Sequence, residues 1–160
     1  LLEFTHTVML KNSSKIAALA CLVLLVVIVV FAWAIFRSNR LGASAQEMAL
    51  QVVENTFSED YPTLLIENSH PSYQAELPVE LLVSYLKGVN GQTGPLESLE
   101  SIRGNAEIPL INFGQSEYFA SYELELIFRN TPAAVQIDMQ FTKGQWQVTR
   151  LEAIADALAY

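Results

Sequence analysis

From Ile16 to Phe36 the chain reads IAALACLVLLVVIVVFAWAIF, twenty-one residues without a charge. A helix lying in water shows a polar position every three or four residues, and this stretch shows none. At 1.5 Å per residue a helix of that length spans about 31 Å, the thickness of a bilayer's hydrocarbon core. Hydrocarbon offers the backbone no hydrogen-bond partner, so the pattern predicts a transmembrane helix over 16–36. Residues 1–15 read as a short tail, with Ser13 or Ser14 the expected N-cap. No methionine opens the chain, so further residues are expected upstream. A cleaved signal peptide is the rival reading. Its apolar core would be shorter, and Phe31 to Phe36 before Arg37 makes a poor cleavage site, which favours an uncleaved anchor.

After the anchor, residues 37–43 read as a polar linker containing Gly42, and residues 44–160 as one domain. Ser44 with Glu47 spells a capping box, and Met48, Ala49, Val52, Val53 and Phe57 follow at helical spacing, predicting a helix over 45–57. Asp60 is the expected N-cap of a second helix, with Pro62 in its first turn. Residues 67–72 read as a loop. Pro78 opens a third helix with Val79, Leu82, Tyr85 and Leu86 on one face, and Gly88 is expected to end it. The period then changes. Leu96 to Ile102 and Ile108 to Phe113 are short strand candidates, and Pro109 suggests an edge or bulge.

The clearest alternation lies further on. Tyr118, Ala120, Tyr122, Leu124, Leu126 and Phe128 face one way, and Ser121, Glu123, Glu125 and Arg129 the other. Val135, Ile137, Met139 and Phe141 alternate with Gln136, Asp138, Gln140 and Thr142; Lys143-Gly144 then turns the chain into Gln145 to Leu151. Glu152 to Tyr160 is expected to be a short helix. Three helices followed by an antiparallel meander with one apolar face predict an α+β domain, because such a face must be covered and the helices are there to cover it.

Charge narrows the partners. From Leu41 onward sixteen acidic residues stand against five basic ones, a balance of −11. Such a body repels phosphate backbones and anionic headgroups, so no nucleic acid is expected to bind. Two lysines precede the apolar run and two arginines follow it, so positive charge does not decide orientation. A short tail with the larger domain after the first helix favours a cytoplasmic N-terminus. Cys21, the only cysteine, sits in the apolar run and excludes an intramolecular disulfide. Ala18-Leu19-Ala20-Cys21 loosely matches a lipoprotein signal, but there the apolar run precedes the cysteine, and here it follows. Ala17, Ala20 and Cys21 form a small-residue patch where another membrane helix could approach.

The loop with His70-Pro71, the glycine turn, and hairpins closing in Gly144-Gln145-Trp146-Gln147-Val148 together resemble the nuclear-transport-factor-2-like (cystatin-like) superfamily, over about residues 44–155. The resemblance implies a curved sheet wrapped around helices, with Trp146 plugging the cone, frequent homodimers and, in some relatives, a pocket in the cone. Relatives include enzymes as well as binding and assembly modules. Membrane-anchored relatives in type IV secretion systems share the layout of tail, single helix and periplasmic domain.

Candidate chemistry is sparse. His70 is the one histidine of the domain, and without a cysteine or second histidine a transition-metal site lacks its usual ligands. Glu123, Glu125 and Asp138 fall on one sheet face and could in principle work as paired carboxylates, but they alternate with apolar positions and so lie on the solvated side. Glu59, Asp60, Glu97, Glu100 and Glu107 show no calcium-loop spacing, and the glycines at 88, 91 and 94 do not lead from a strand into a helix. Tyr118, Tyr122, Phe128 and Trp146 are the candidates for lining a pocket or packing a core. No catalytic, cofactor-binding or metal-ligating residue is assigned. The expected function is that of a non-catalytic, single-pass accessory or scaffold subunit of a respiratory, photosynthetic or transport complex in a bacterial inner membrane, with lipid and integral membrane subunits as partners and a periplasmic domain. A ligand-binding or sensor module using the cone, and a type IV secretion-system assembly component, stand as alternatives.

Overall fold

The computed structural model describes residues 2–58, 61–110 and 117–154. Its longest element is α1 (Leu2–Ser58), which passes through both of the units into which the chain divides, Leu1–Asn39 and Arg40–Tyr160. In the first unit the large apolar side chains from Leu19 to Phe36 are 44–66% exposed. Among the described residues the apolar window is unburied, and the helix is long and apolar enough to cross a membrane. Arg37 lays its guanidinium 5.9 Å from the centroid of the Trp33 ring, one turn back, a cation–π contact suited to the end of such a span.

In the second unit α1 changes character. Ala45, Ala49, Val52, Val53, Thr56 and Phe57 are buried at helical spacing, a single apolar stripe of the kind that packs on a sheet. Three shorter helices follow, α2 (Thr63–Glu67), α3 (Pro71–Glu76) and α4 (Val79–Thr93). The sheet is a four-stranded antiparallel meander in the order β1 (Leu96–Glu107), β2 (Tyr118–Phe128), β3 (Pro132–Thr142), β4 (Gln145–Ile154). Each buried Leu, Val or Phe contributes roughly 1.5–3 kcal/mol relative to exposure, so the alternation in β2 and β3 decides which face turns inward. Tyr118 to Phe128 and Val135 to Met139 bury every second residue, and those residues form one core with α1, α2 and α4. The domain is α+β, with its helices packed on a curved antiparallel sheet.

Two ties place the helices. The β2–β3 turn holds the end of α4, because Asn130 donates its backbone N–H to the Thr93 carbonyl (3.0 Å) and its side-chain amide to that of Gln92 (3.2 Å). The segment between α2 and α3 lies along β4, where Val148 donates to Asn68 (2.7 Å) and accepts from His70 (2.8 Å).

Several local expectations change. The linker at 37–43 is helical, and α1 starts well before Ser13 and Ser14. Ser44 therefore caps nothing. Its hydroxyl donates to the Leu41 carbonyl (2.8 Å) and accepts from the Trp146 indole (3.2 Å), so the Ser-x-x-Glu pattern lies inside a helix whose backbone donors are already paired. Within 67–72, Pro71 starts α3, with His70 as its N-cap. Gly88 does not end α4, which continues through Gly91 to Thr93 and stops at Gly94, at φ +77°. A helical glycine costs about 1 kcal/mol against alanine, and burial of Leu82, Leu86 and Thr93 along the same helix outweighs that. β1 continues past Ile102 to Glu107, because pairing with β2 satisfies its backbone although few of its side chains are buried. Glu152 to Ile154 complete β4 rather than opening a helix. Asp60, residues 111–113 of the second strand candidate, and residues 155–160 lie outside the described residues.

Candidate functional site

The aromatic residues singled out above separate into two places. Tyr118, Tyr122 and Trp146 are all buried on the inner face of the sheet. Phe141 links two of them, stacked on Tyr118 with ring centroids 5.8 Å apart and meeting Trp146 edge-on at 5.2 Å. Two polar tips reach the helix: the Trp146 indole N–H donates to Ser44 Oγ, and the Tyr122 hydroxyl lies 3.4 Å from the Gly42 carbonyl oxygen. Burial pushes the Tyr122 phenol above its ordinary pKa, which keeps it a neutral donor. Tyr122 and Trp146 tie α1 to the sheet, and none of the three borders the cavity at Phe128.

Phe128 lies elsewhere, beside a cavity of about 340 Å³ between α4 and the sheet. Phe57 from α1, Tyr85, Val89 and Gln92 from α4, Pro132 and Val135 from β3, and Ala153 from β4 complete most of its wall, with Ser84 and Thr131 adding hydroxyl groups. The space exists partly because of Gly88. A Cβ built there meets no atom within 4 Å, and the residue lines the cavity. Thr93 also borders it, but its hydroxyl already donates to the Val89 carbonyl (3.0 Å), so Gln92, Ser84 and Thr131 supply the polar fringe. Among the described residues no charged side chain lines the wall. The volume falls at the low end of the roughly 300–1,000 Å³ of small-molecule sites. In the sequence Gly88 reads as a helix end, which conceals a gap in a helix face; Phe128 is the one pocket candidate that falls on this wall.

Three of the ionisable candidates, His70, Glu125 and Asp138, have structural partners. His70 Nδ1 accepts from the Ser72 N–H (3.2 Å) and lies 2.7 Å from the Ser72 hydroxyl, which makes the Ser–His contact a helix cap two residues apart. On the solvent face, Glu125 is bound by Arg103 (2.9 Å) and Ser101 (2.6 Å), and Asp138 accepts from Ser121 (2.7 Å) and Gln136 (3.2 Å) with Arg150 at 3.9 Å. Exposed pairs of this kind contribute at most about 1 kcal/mol each. Burial pushes the Tyr73 phenol up to about 12, so it stays protonated at ordinary pH. Among the described residues no three His, Cys, Asp or Glu side chains come together in a metal-binding group. Ala17, Ala20 and Cys21 share one face of α1, all three exposed. Comparison with protein families, with curated proteins and with solved structures gives no match to this chain.

Proposed function

We propose that this chain is a non-catalytic single-pass membrane protein that serves as an accessory or scaffold subunit of a larger membrane complex. One observation carries the reading. The exposed apolar helix is continuous in the chain with the helix on which the domain's core is built. A membrane span joined in this way to a folded body is an arrangement for holding that body at a membrane. Ala17, Ala20 and Cys21 give a neighbouring span a face of small side chains to approach, and the acidic charge of the domain favours standing off anionic lipid. We place the N-terminus in the cytoplasm and the domain on the far side of a bacterial inner membrane, and regard the domain as nuclear-transport-factor-2-like, on the order of helices followed by a meander and on the Trp146 closing strand. The test is purification from native membranes in a mild detergent. The chain should remain in the membrane fraction after alkaline carbonate washing and co-purify with other integral membrane proteins in fixed proportion; recovery without any such companion would refute the role.

A second reading, a ligand-binding module, is favoured by the cavity beside α4. Apolar walls with an uncharged polar fringe suit a neutral, largely apolar small molecule. Gly88→Leu should fill the space at little cost to folding and weaken the binding of a neutral fluorescent probe such as N-phenyl-naphthylamine at least tenfold. Equal binding by both proteins would remove this reading.

A further inference from the structure

The two margins of the sheet are unlike. Along β4, the segment Asn68–His70 already occupies Val148 on both its N–H and its carbonyl. β1 forms the other margin, and no strand among the described residues pairs with its outer side. The first half of β1 skips Glu97 and Glu100 in its pairing with β2, and bulges with charges at an edge discourage a further strand. From Ser101 to Glu107 the register with β2 is unbroken. An edge free of bulges is therefore left in the second half only, with Gly104 at φ +131° within it.

The side chains there select a partner. Arg103, Asn105 and Glu107 share the solvent face, and Gly104 and Ala106 the other, opposite the buried Tyr122 and Ala120. When an edge pairs antiparallel with its own copy, residues equally distant from the two-fold axis face each other. An axis through Asn105 sets Arg103 of each copy opposite Glu107 of the other, twice, with Gly104 opposite Ala106 between them. An axis through Arg103 would bring two guanidinium groups together, and one through Gly104 forms no charge pair. The Arg103 side chain is 70% exposed and, although paired with Glu125 at 2.9 Å, keeps donors of its guanidinium for a second carboxylate. Phe119, 53% exposed and directly across from Glu107 on β2, would lie next in the same row.

We propose that two copies of this chain join along residues 103–107 of β1, antiparallel about Asn105, so that two four-stranded sheets become one. The opposite charges at positions 103 and 107 fix the register, and the bulges at 97 and 100 limit the pairing to this half of the strand.

Disulfide trapping in the purified full-length chain in detergent tests this, in a Cys21→Ser background. Asn105→Cys should yield a covalent dimer on mild oxidation. Arg103→Cys or Glu107→Cys alone should not, because four residues of offset separate the mates by roughly 13 Å, beyond the ~7 Å limit for a disulfide. The two mixed together should cross-link to each other. In analytical ultracentrifugation Glu107→Arg should weaken dimerisation at least tenfold, and adding Arg103→Glu should restore it, with circular dichroism unchanged in both. The proposal is overturned if Asn105→Cys stays monomeric, if Arg103→Cys links to itself as readily, if the charge reversal leaves the dimer intact, or if Asn105→Cys in native membranes links to a different protein. Co-purification with other membrane subunits is a separate measurement, so either idea can fail alone.

Discussion

Trp146→Ala is expected to lower the stability of the domain by about 3–5 kcal/mol, the range for removing a large buried aromatic. Trp146 is almost wholly buried, meets Phe141 edge-on at 5.2 Å and donates its indole N–H to Ser44. Deleting the ring empties the space where β4 meets α1 and strips Phe141 of one of its two aromatic neighbours, Tyr118 being the other. The loss should appear in both elements. Native-state hydrogen exchange of the full chain in detergent should show amides of β3, β4 and residues 45–57 of α1 opening together at the lower free energy. Trp146→Phe keeps most of the volume and gives up the hydrogen bond, so it should cost only about 1–2 kcal/mol. A loss below 1 kcal/mol in the alanine variant would mean that this cluster is not what holds α1 to the sheet.

The same cluster shows why parts of this fold are legible in the sequence and others are not. β2 and β3 bury every second side chain, so each residue of the alternating pattern carries information, and their facing and the Lys143-Gly144 turn follow from it; both turn residues adopt positive φ, at +51° and +88°, as the preferred two-residue hairpin requires. The apolar helix is readable for the same reason, since it has no second face to interpret. β1 is the opposite case. Its side chains are mostly exposed on both faces, and its strand conformation comes from backbone pairing with β2, which no composition records.

Ser44 and Gly88 misled in a shared way. Each carries a local signal, a cap and a stop, that holds only where the helix has no tertiary reason to continue. The indole of Trp146, 102 residues away, gives Ser44 a different use, and the buried Leu82, Leu86 and Thr93 carry α4 past Gly88. Local propensities of about 1 kcal/mol yield to packing worth several times that. The cavity was hidden by the same step: a glycine taken as a terminus could not also be recognised as the missing side chain in a wall.

Gly104→Ala should be the most damaging single-methyl change in the sheet. Gly104 adopts φ +131°, a conformation that L side chains rarely take, and an added Cβ would lie 2.1 Å from the Ser121 carbonyl oxygen and 2.8 Å from Tyr122 Cα. Both are backbone atoms of the neighbouring strand. No rotamer change relieves the contact, so either β1 moves away from β2 or its backbone refolds locally. Conformational strain of about 1–3 kcal/mol and a steric cost of about 1–3 kcal/mol together give an expected loss of roughly 2–6 kcal/mol. Gly144 separates the two contributions. It too has positive φ, at +88°, but a Cβ there meets nothing within 4 Å, so Gly144→Ala should cost only about 1 kcal/mol of backbone strain. Hydrogen exchange should place the Gly104→Ala damage in β1 and the adjacent side of β2, with β3 and β4 far less affected, because among the described strands β1 pairs with β2 alone. If the two alanine variants were equally stable, the close approach of β1 and β2 at this position would be wrong. The continuous pairing of β1 with β2 from Ser101 to Glu107, on which the proposed contact with a second copy depends, would then lose its footing as well.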